Sequence, residues 1–384
     1  MCSGNSPRFG GLSTNLSVVK GLILSGGAGT RLRPITHTSA KQLVPIANKP
    51  ILFYGIEAMV EAGITEIGII ISPETGDDIR AAVGDGSAFG AELTWIRQDE
   101  PLGLAHCVLI AREFLGDDDF VMYLGDNMLE QNLVGFVAEF ESRRSHPELG
   151  ATGQLVAQIL LTRVDDPSSF GVAEVAADGS VVALVEKPEV PPSDLALVGV
   201  YLFDPTIHEA VAAIDPSPRG ELEITDAIQW LIDQGHEVAH DVLEGWWLDT
   251  GKKDPLLECN RLVLDTIERQ VDGEVDESSE IEGRVQVGVG AKIINSTVRG
   301  PAVIGANTVI ENSHVGAYSS IADDCVVSNS EVDHSVILAN STISNVPRLV
   351  DSLIGSHVMV DRKSRVSAGL KLMLGDHSHV ELEG

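Results

Sequence analysis

The stretch that decides the fold of the first part of the chain is Val18-Val19-Lys20-Gly21-Leu22-Ile23-Leu24-Ser25-Gly26-Gly27-Ala28-Gly29-Thr30-Arg31-Leu32. Its first half is short, bulky and apolar, which predicts a buried strand. Its second half places three glycines and an arginine directly after that strand. Glycine lets a backbone approach a phosphate and present its N–H groups, and arginine can pair with phosphate oxygens. No Gly-Lys-Ser/Thr follows, so this is not a Walker A loop, and alone such a turn is more often a tight connection.

Short apolar runs alternate with helical patterns from residue 18 to about residue 255. The predicted elements are strands at 66–71, 93–96 and 120–124 and helices at 51–62, 76–83, 105–114 and 253–270. Strands and helices alternating at this spacing imply right-handed βαβ units and a mostly parallel sheet. Because ligands of such sheets bind beyond the carboxyl ends of the strands, motifs that directly follow strands are the candidate site residues.

The composition restricts the partners of the chain. Its 384 residues are 43% hydrophobic and 22% charged, which predicts a globular protein of two to three domains. Acidic residues outnumber basic ones 57 to 26, for a formal charge of −31. Such a field repels phosphate backbones and anionic lipid, so we predict no nucleic-acid or membrane partner. A local basic cluster or a magnesium ion can still reverse the field inside one cleft.

Cysteines and the chain start indicate the compartment. Cys2, Cys107, Cys259 and Cys325 are scattered and form no C-x-x-C pair, which predicts free thiols in a reducing compartment. No apolar run reaches the roughly 18 residues of a membrane span, and residues 1–18 lack the apolar core of a signal peptide. We therefore predict a cytoplasmic protein that begins with a disordered extension.

The sequence pattern changes at about Gly283. Apolar residues now recur every six positions, with two slips of register and with small or polar residues between them. These positions are Val303, Val309, Val315, Ile321, Val327, Ile337, Ile343, Leu349, Ile354, Val360 and Val366. A period of six indicates a solenoid of short parallel strands, whereas an antiparallel sandwich would alternate at period two. We predict a β-helix with about five coils of roughly 18 residues each.

A second motif changes the interpretation of the glycine-rich turn. The chain contains Gly-Gly-x-Gly-Thr-Arg-Leu-x-Pro at 26–34 and Lys-Gln-Leu-x-Pro-x-x-x-Lys-Pro at 41–50. Together they resemble the signature of sugar nucleotidyltransferases. The resemblance continues through Gln98 with 101–105 and through segments 124–127, 170–172, 185–188, 217–226 and 247–251. The chain is most similar to the long-form glucose-1-phosphate thymidylyltransferases of that family, which carry a C-terminal left-handed β-helix.

The resemblance implies a reaction and a cofactor. A nucleotidyl group would pass from dTTP to α-D-glucose 1-phosphate by in-line attack on the α-phosphorus, giving dTDP-glucose and pyrophosphate for deoxysugar synthesis. Such chemistry mainly needs positioning and charge neutralisation. Asp126 and Asp249 would hold Mg²⁺, which prefers hard oxygen ligands. The structural alternative for Asp126 is a turn-capping residue after a strand.

The same resemblance assigns the other site residues. The nucleotide-binding set is Gly26, Gly27, Gly29, Thr30, Arg31, Gln98 and Gly103; the sugar phosphate-binding set is Asn127, Gly171, Glu186, Lys187 and Arg219; the catalytic set is Arg31, Lys41, Asp126 and Lys187. Gln98 can read a pyrimidine edge because its amide both donates and accepts, and Gly103 leaves room for the base. The alternatives are solvated surface side chains for Arg31, Lys41 and Gln98, and an ion pair for Glu186.

The predicted organisation has five parts. They are a disordered extension at 1–18, a Rossmann-like α/β nucleotidyltransferase domain at 19–255, a connecting helix and linker at 256–282, a left-handed parallel β-helix of hexapeptide repeats at 283–370, and a tail at 371–384. We expect the β-helix to serve as a scaffold or in homo-oligomerisation, because stacked coils leave an open end and flat faces. The alternative is a second, acyltransferase activity, with His314, His334 or His357 as general base.

Three rival functions remain open at this point. The substrates could be another triphosphate (UTP or GTP) or another sugar or cyclitol phosphate, and the chain could be a uridylyl- and acetyltransferase. It could also be a non-catalytic regulatory subunit that binds a nucleotide sugar. Arg31, Lys41, Asp126 and Asp249 are all present, which argues against the last of these.

Overall fold

The computed structural model describes residues 19–27, 29–37, 40–145 and 154–362, so the predicted extension at 1–18 and tail at 371–384 lie outside the described residues. The helices of the first part are α1 Ile51–Glu61, α2 Gly76–Val83, α3 Leu104–Ile110, α4 Arg112–Leu115, α5 Val134–Ser145, α6 Ile207–Ala213, α7 Ile224–Asp233 and α8 Lys253–Leu264. Its strands are β1 Lys20–Leu24, β2 Pro45–Ile46, β3 Lys49–Pro50, β4 Glu66–Ile71, β5 Glu92–Arg97, β6 Phe120–Leu124, β7 Asn127–Leu129, β8 Leu155–Arg163, β9 Gly171–Val175, β10 Val181–Glu186, β11 Leu195–Phe203, β12 Glu237–Val242 and β13 Trp247–Asp249.

A nine-stranded sheet organises the first part of the chain. Its order is β10-β9-β11-β6-β1-β4-β5, with β8 also paired to β11 and β12 paired to β8. Strands β6, β1, β4 and β5 are parallel, as predicted, but β11 returns antiparallel to β6 and β8. The sheet is therefore Rossmann-like and mixed rather than mostly parallel, because β8, β9, β10 and β11 follow one another without an intervening α-helix and pair antiparallel.

Helices cover both faces of this sheet. Alternate residues of β6 belong to different cores: Phe120 and Met122 pack under α3, α6 and α7, and Val121 and Tyr123 pack under α1 and α5. Burial on both faces explains why β6 is an uninterrupted apolar run in the sequence. Within the described residues, no helix combines the length and apolarity that crossing a membrane requires.

Two predicted helices differ from the observed ones. The helix predicted at 105–114 is interrupted at Ala111, which separates α3 from α4. The helix predicted at 253–270 ends at Leu264. At this end the Thr266 hydroxyl donates to the Val263 carbonyl at 2.8 Å, and Arg284 pairs with Asp265 at 3.0 Å. A side chain that satisfies a last-turn carbonyl competes with continuation of the helix.

The second part is the predicted left-handed parallel β-helix, built from three parallel sheets. The first sheet contains β14 Gln270–Val271, β17 Val285–Val287, β20 Ala302–Ile304, β23 Ser319–Ile321, β26 Val336–Ile337 and β29 Leu353–Ile354. The second contains β15 Glu274–Val275, β18 Lys292–Ile294, β21 Val309–Glu311, β24 Val326–Ser328, β27 Thr342–Ser344 and β30 Met359–Asp361. The third contains β16 Glu280–Glu282, β19 Thr297–Arg299, β22 His314–Val315, β25 Glu331–Asp333 and β28 Leu349–Val350.

The coils are shorter than predicted. Fully buried residues follow one another at spacings of six, six and five, as in Val298, Ile304, Ile310 and Val315. Most residues therefore pair with one 17 positions later, as Val298 does with Val315. The offset is 16 between Ile321 and Ile337 and 18 between Glu274 and Lys292. The strict six-residue period was wrong because one side of each coil is one residue shorter. Val303 and Val309 consequently lie beside the core positions, which are Ile304 and Ile310.

The acidic stretch 272–282 is not a linker. It contains β15 and β16, whose backbones pair in parallel with β18 and β19 of the next coil. Acidic residues fit this position because side chains such as Glu274 and Glu280 point to solvent while Ile281 packs against the core. The strands of the β-helix therefore begin at Gln270 rather than near Gly283.

A mixed apolar cluster, here called the junction core, joins the two parts. It combines residues of the first part, of α8 and of the β-helix. Its buried members are Leu32, Val44, Ile46, Ile51, Met128, Leu256, Leu257, Cys259, Val336 and Leu338.

Candidate active site

A lysine between two aspartates forms the centre of the candidate site. The Lys41 ammonium contacts the Asp126 carboxylate and lies 3.6 Å from Asp249 Oδ1. Arg31 lies 3.5 Å from Asp249 Oδ2. The Lys41 side chain is only 6% exposed, and a charge so far from water needs partners of this kind. Four residues that the sequence assigned to catalysis or metal binding are thus brought together from distant segments.

A short two-stranded ribbon places the two aspartates. Strand β7 pairs antiparallel with β13, so that Asn127, next to Asp126, lies opposite Asp249. The Asp126 carbonyl accepts from the Thr250 backbone N–H at 3.2 Å and from its hydroxyl at 2.7 Å. Asn127 Nδ2 donates to Asp126 Oδ1 at 3.0 Å. Backbone pairing and the Asn127 amide therefore hold the two aspartates beside each other.

Gly251 keeps space open over this cluster. A Cβ at this position would lie 2.9 Å from Lys41 Nζ and from Asp249 Oδ1, and 2.8 Å from an Arg31 guanidinium nitrogen. Its backbone N–H donates to Asp249 Oδ1 at 2.9 Å. An added side chain would push these three charged groups apart.

The donor set of the cluster fits a magnesium ion. Among the described residues, no group of three or more His, Cys, Asp or Glu side chains could hold a metal by itself. Magnesium in phosphate-transferring sites is commonly held by one or two carboxylates together with substrate phosphates. Asp126 and Asp249 converge on one ammonium and supply hard oxygen donors of that kind.

The glycine-rich loop lies against the lysine. Gly29 has φ of 59°, and a Cβ there would be 2.9 Å from Lys41 Cβ, so glycine permits both the turn and the approach. Thr30 and Arg31 follow in a 3₁₀ turn, and the Arg31 side chain is more than half exposed. The arginine is therefore accessible to a phosphate in front of the loop.

Gln98 lies across the same loop with one end of its amide already engaged. Its Nε2 donates to the Gly103 carbonyl at 3.3 Å and lies 3.1 Å from His106 Nδ1. Its Oε1 faces Gly26, where an added Cβ would be 3.2 Å away. Gly103 has φ of 102°, and a Cβ there would meet the Leu222 carbonyl oxygen at 2.4 Å. His106 was not singled out in the sequence, since a lone histidine on a helix gives no signal.

The predicted sugar-side residues form a second charged group. Arg219 lies 2.8 Å from Glu223 Oε1 and 3.1 Å from Glu186 Oε1, and Lys187 is 3.2 Å from Glu186 Oε1. Burial raises the pKa of nearby Asp226, and repulsion by Glu223 and Glu186 raises it further. A dense negative charge thus surrounds Arg219.

Gly171 and Asn127, two of the predicted sugar-binding residues, make packing and hydrogen-bond contacts within the protein. Gly171 is required sterically, since a Cβ there would lie 2.7 Å from both Leu197 and Thr225 side-chain carbons. Asn127 is buried, and its Oδ1 accepts from the Trp247 indole N–H at 2.6 Å. In this arrangement Asn127 contacts Asp126 and Trp247, and its predicted contact with sugar hydroxyls stays a prediction.

The sheet, the loop after β1 and the charged cluster are typical of α/β enzymes that bind phosphorylated ligands at the carboxyl ends of parallel strands. Residues 20–266 match the family model described as nucleotidyl transferase, and the chain belongs to that family. The family predicted from the sequence is therefore confirmed.

Individual relatives extend the similarity to the β-helix. The chain is 57% identical to a glucose-1-phosphate thymidylyltransferase of Streptomyces griseus, over 95% of this chain and 99% of that protein. It is 53% identical to the enzyme of the same name from Streptomyces antibioticus, over 95% of this chain and 100% of that protein. A solved Bacillus anthracis structure assigned as a glucose-1-phosphate thymidylyltransferase superposes with a TM-score of 0.59 at 34% identity, covering 66% of this chain and 98% of that one.

Proposed function

We propose that the chain transfers a thymidylyl group from dTTP to α-D-glucose 1-phosphate, giving dTDP-glucose and pyrophosphate. The observation that carries the proposal is the buried Lys41 between Asp126 and Asp249, next to the glycine-rich loop. The names of the Streptomyces relatives, which are similar over nearly the whole chain, support this pair of substrates.

The chain's cations would neutralise the triphosphate. An oxygen of the sugar phosphate attacks the α-phosphorus, the bond from that phosphorus to the bridging oxygen breaks, and pyrophosphate leaves in line. Lys41 would exchange a carboxylate partner for a phosphate oxygen when the triphosphate binds. The exposed Arg31 would contact the departing pyrophosphate. Asp126 and Asp249 would hold Mg²⁺, which when bound screens the charges of the reacting phosphates.

The base would be read by one acceptor. Because a carbonyl oxygen only accepts, the donation from Gln98 Nε2 to Gly103 directs Oε1 toward the loop. An acceptor there suits the N3–H group of thymine or uracil. Cytosine presents an acceptor at the same position and would be rejected.

The sugar phosphate would compete for the cations of the second group. Arg219 and Lys187 are held by carboxylates, and a phosphate dianion offers both a better partner. Release of Glu186 from these cations would free its carboxylate to accept hydrogen bonds from sugar hydroxyls. Asn127 would act by holding Asp126.

Pyrophosphate release by the purified full chain tests the proposal. Glucose 1-phosphate would be supplied with Mg²⁺ and, in turn, dTTP, UTP, dCTP, GTP and ATP. We expect release with dTTP and little with dCTP or the purine nucleotides. Release with none of them, together with binding of dTDP-glucose, would support the regulatory-subunit alternative and overturn the proposal.

Three finer statements belong to this proposal. Magnesium as the resident cation is tested by chelation and re-addition of Mg²⁺ or Ca²⁺, which share oxygen preference but differ in geometry. A cytoplasmic location is supported by Cys107, Cys259 and Cys325, which are buried free thiols. Homo-oligomerisation is tested by light scattering of the full chain.

A further inference from the structure

We propose that the β-helix is a positioning part of the active site, because it holds the hairpin that fixes Lys41. The inference deepens the proposed function and rests on it. The hairpin consists of β2 and β3, and its two central residues are Ala47 and Asn48. It begins four residues after Lys41.

The hairpin needs support from outside. Ala47 has φ of 47° and Asn48 has φ of 63°, the left-handed region that side chains other than glycine disfavour. Asparagine tolerates this region, but alanine has no polar side chain to compensate for it. Such a backbone conformation persists where surrounding contacts determine it.

The β-helix and α8 supply those contacts. Asn48 Nδ2 donates to the Ile321 carbonyl of β23 at 2.8 Å. The Ala47 N–H donates to Asn260 Oδ1 of α8 at 2.9 Å. The same Oδ1 accepts from the Ser320 hydroxyl at 2.8 Å. Asn260 Nδ2 donates to the Tyr318 carbonyl at 3.2 Å. Asn260, which is 1% exposed, thus ties the hairpin to the β-helix through every polar atom of its amide.

Backbone hydrogen bonds continue from the hairpin to the lysine. The Ile51 N–H donates to the Val44 carbonyl at 3.2 Å, immediately after the hairpin. The Val44 N–H donates to the Lys41 carbonyl at 3.1 Å. A displacement of the hairpin therefore reaches the 3₁₀ turn that carries Lys41 within two hydrogen bonds.

The junction core lies beneath the same residues. It includes Leu32 beside Arg31, Val44 near Lys41 and Met128 beside Asn127. Val336 and Leu338 contribute to this core from the β-helix. Without Val336 and Leu338, apolar side chains next to three active-site segments would be exposed to water. The β-helix therefore contributes apolar packing to the site in addition to hydrogen bonds.

Substitution of Asn48 by glycine tests the link. Glycine removes the side-chain amide but readily adopts the left-handed backbone, so we expect Asn48→Gly to fold. Asn260→Ala is a poorer test, because it leaves several buried polar groups without hydrogen-bond partners. We expect kcat to fall about tenfold with both KM values within about twofold, because a small misplacement of a catalytic group mainly affects the transition state. Amide hydrogen exchange in residues 40–46 should become faster.

A matched variant and a double mutant separate positioning from general damage. Asn307 has a similar φ of 56° but lies exposed in the β-helix, between β20 and β21, so Asn307→Gly should leave kcat and exchange at 40–46 unchanged. If Asn48 acts through Lys41, adding Asn48→Gly to the Lys41→Ala variant should lower kcat by less than about twofold. Unchanged kcat and exchange in Asn48→Gly, or additive effects in the double mutant, would overturn the inference. A wild-type chain inactive with every triphosphate would instead refute the proposed function.

Discussion

The ammonium of Lys41 lies 3.6 Å from Oδ1 of Asp249, although more than half of the chain separates the two residues. The β7–β13 ribbon brings Asp249 to the lysine, and backbone hydrogen bonds through Val44 link Lys41 to the residue that follows the hairpin. The site is therefore assembled by tertiary contacts, and the two cations of the cluster balance its two carboxylates. If the proposed function holds, substrate phosphates would displace these ion pairs, which favours ligands of high negative charge.

Asp249 should be essential for turnover but not for folding. Asp249→Asn keeps the size of the side chain and removes one charge from the cluster. We expect kcat/KM to fall at least about 100-fold, since charge stabilisation in such sites is worth several kcal/mol. Pyrophosphate release over a range of Mg²⁺ concentrations measures the effect. Asp254→Asn, at an exposed carboxylate of α8, is the control and should retain activity. Full activity of Asp249→Asn would exclude Asp249 from the metal site.

Activity should be sensitive to a methyl group added at Gly251. In Gly251→Ala the methyl group would meet Lys41, Asp249 and Arg31 within 3 Å, so these groups must separate. We expect a folded protein whose kcat is lower by about 10- to 100-fold.

A second glycine provides the comparison. Gly135 lies in α5, where an added Cβ meets nothing within 4 Å. Gly135→Ala should keep full activity and raise the unfolding free energy by about 0.5 kcal/mol, because alanine favours a helix. Thermal unfolding and pyrophosphate release measure both variants, and equal activities would show that the space over the cluster is unnecessary.

The sequence predicted most of the parallel half of the sheet, because β1, β4 and β6 are apolar runs followed by turns. Through its resemblance to sugar nucleotidyltransferases, the sequence also assigned Arg31, Lys41, Asp126 and Asp249 to one site. It missed the roles of Asn260 and His106, since neither lies in a motif and each acts through a contact that only the tertiary structure forms. The coil length was wrong because Val303 and Ile304 are equally apolar neighbours, and only one of them points inward.

His106 should influence which base the enzyme accepts. It is one of two acceptors that fix the orientation of the Gln98 amide, at 3.1 Å from Nε2. His106→Leu removes this acceptor, so we expect the preference for dTTP over dCTP to fall about tenfold, with kcat for dTTP less affected. The ratio of kcat/KM values measures the effect. His314→Leu, on β22 of the β-helix, should leave the ratio unchanged. An unchanged ratio in His106→Leu would mean that Gly103 alone orients the amide.

His208 should make the fold sensitive to acid. Burial is the main reason that its pKa is lowered to about 4, and its ring stacks on Phe120 with centroids 6.2 Å apart. The unfolded chain binds a proton at this residue near pH 6.5 and the folded chain only near pH 4, so the folded state loses stability as pH falls through that interval.

Replacement of His208 by phenylalanine removes the titrating group while keeping a ring in the same place. We expect the unfolding temperature of His208→Phe to decline less between pH 6.5 and 4.5, by about 2–4 °C if the histidine contributes about 1 kcal/mol. His236→Phe serves as the comparison, since His236 is a half-buried histidine just after the turn that follows α7. If the unfolding temperatures of His208→Phe and the wild type declined equally with falling pH, the acid sensitivity would belong to other groups.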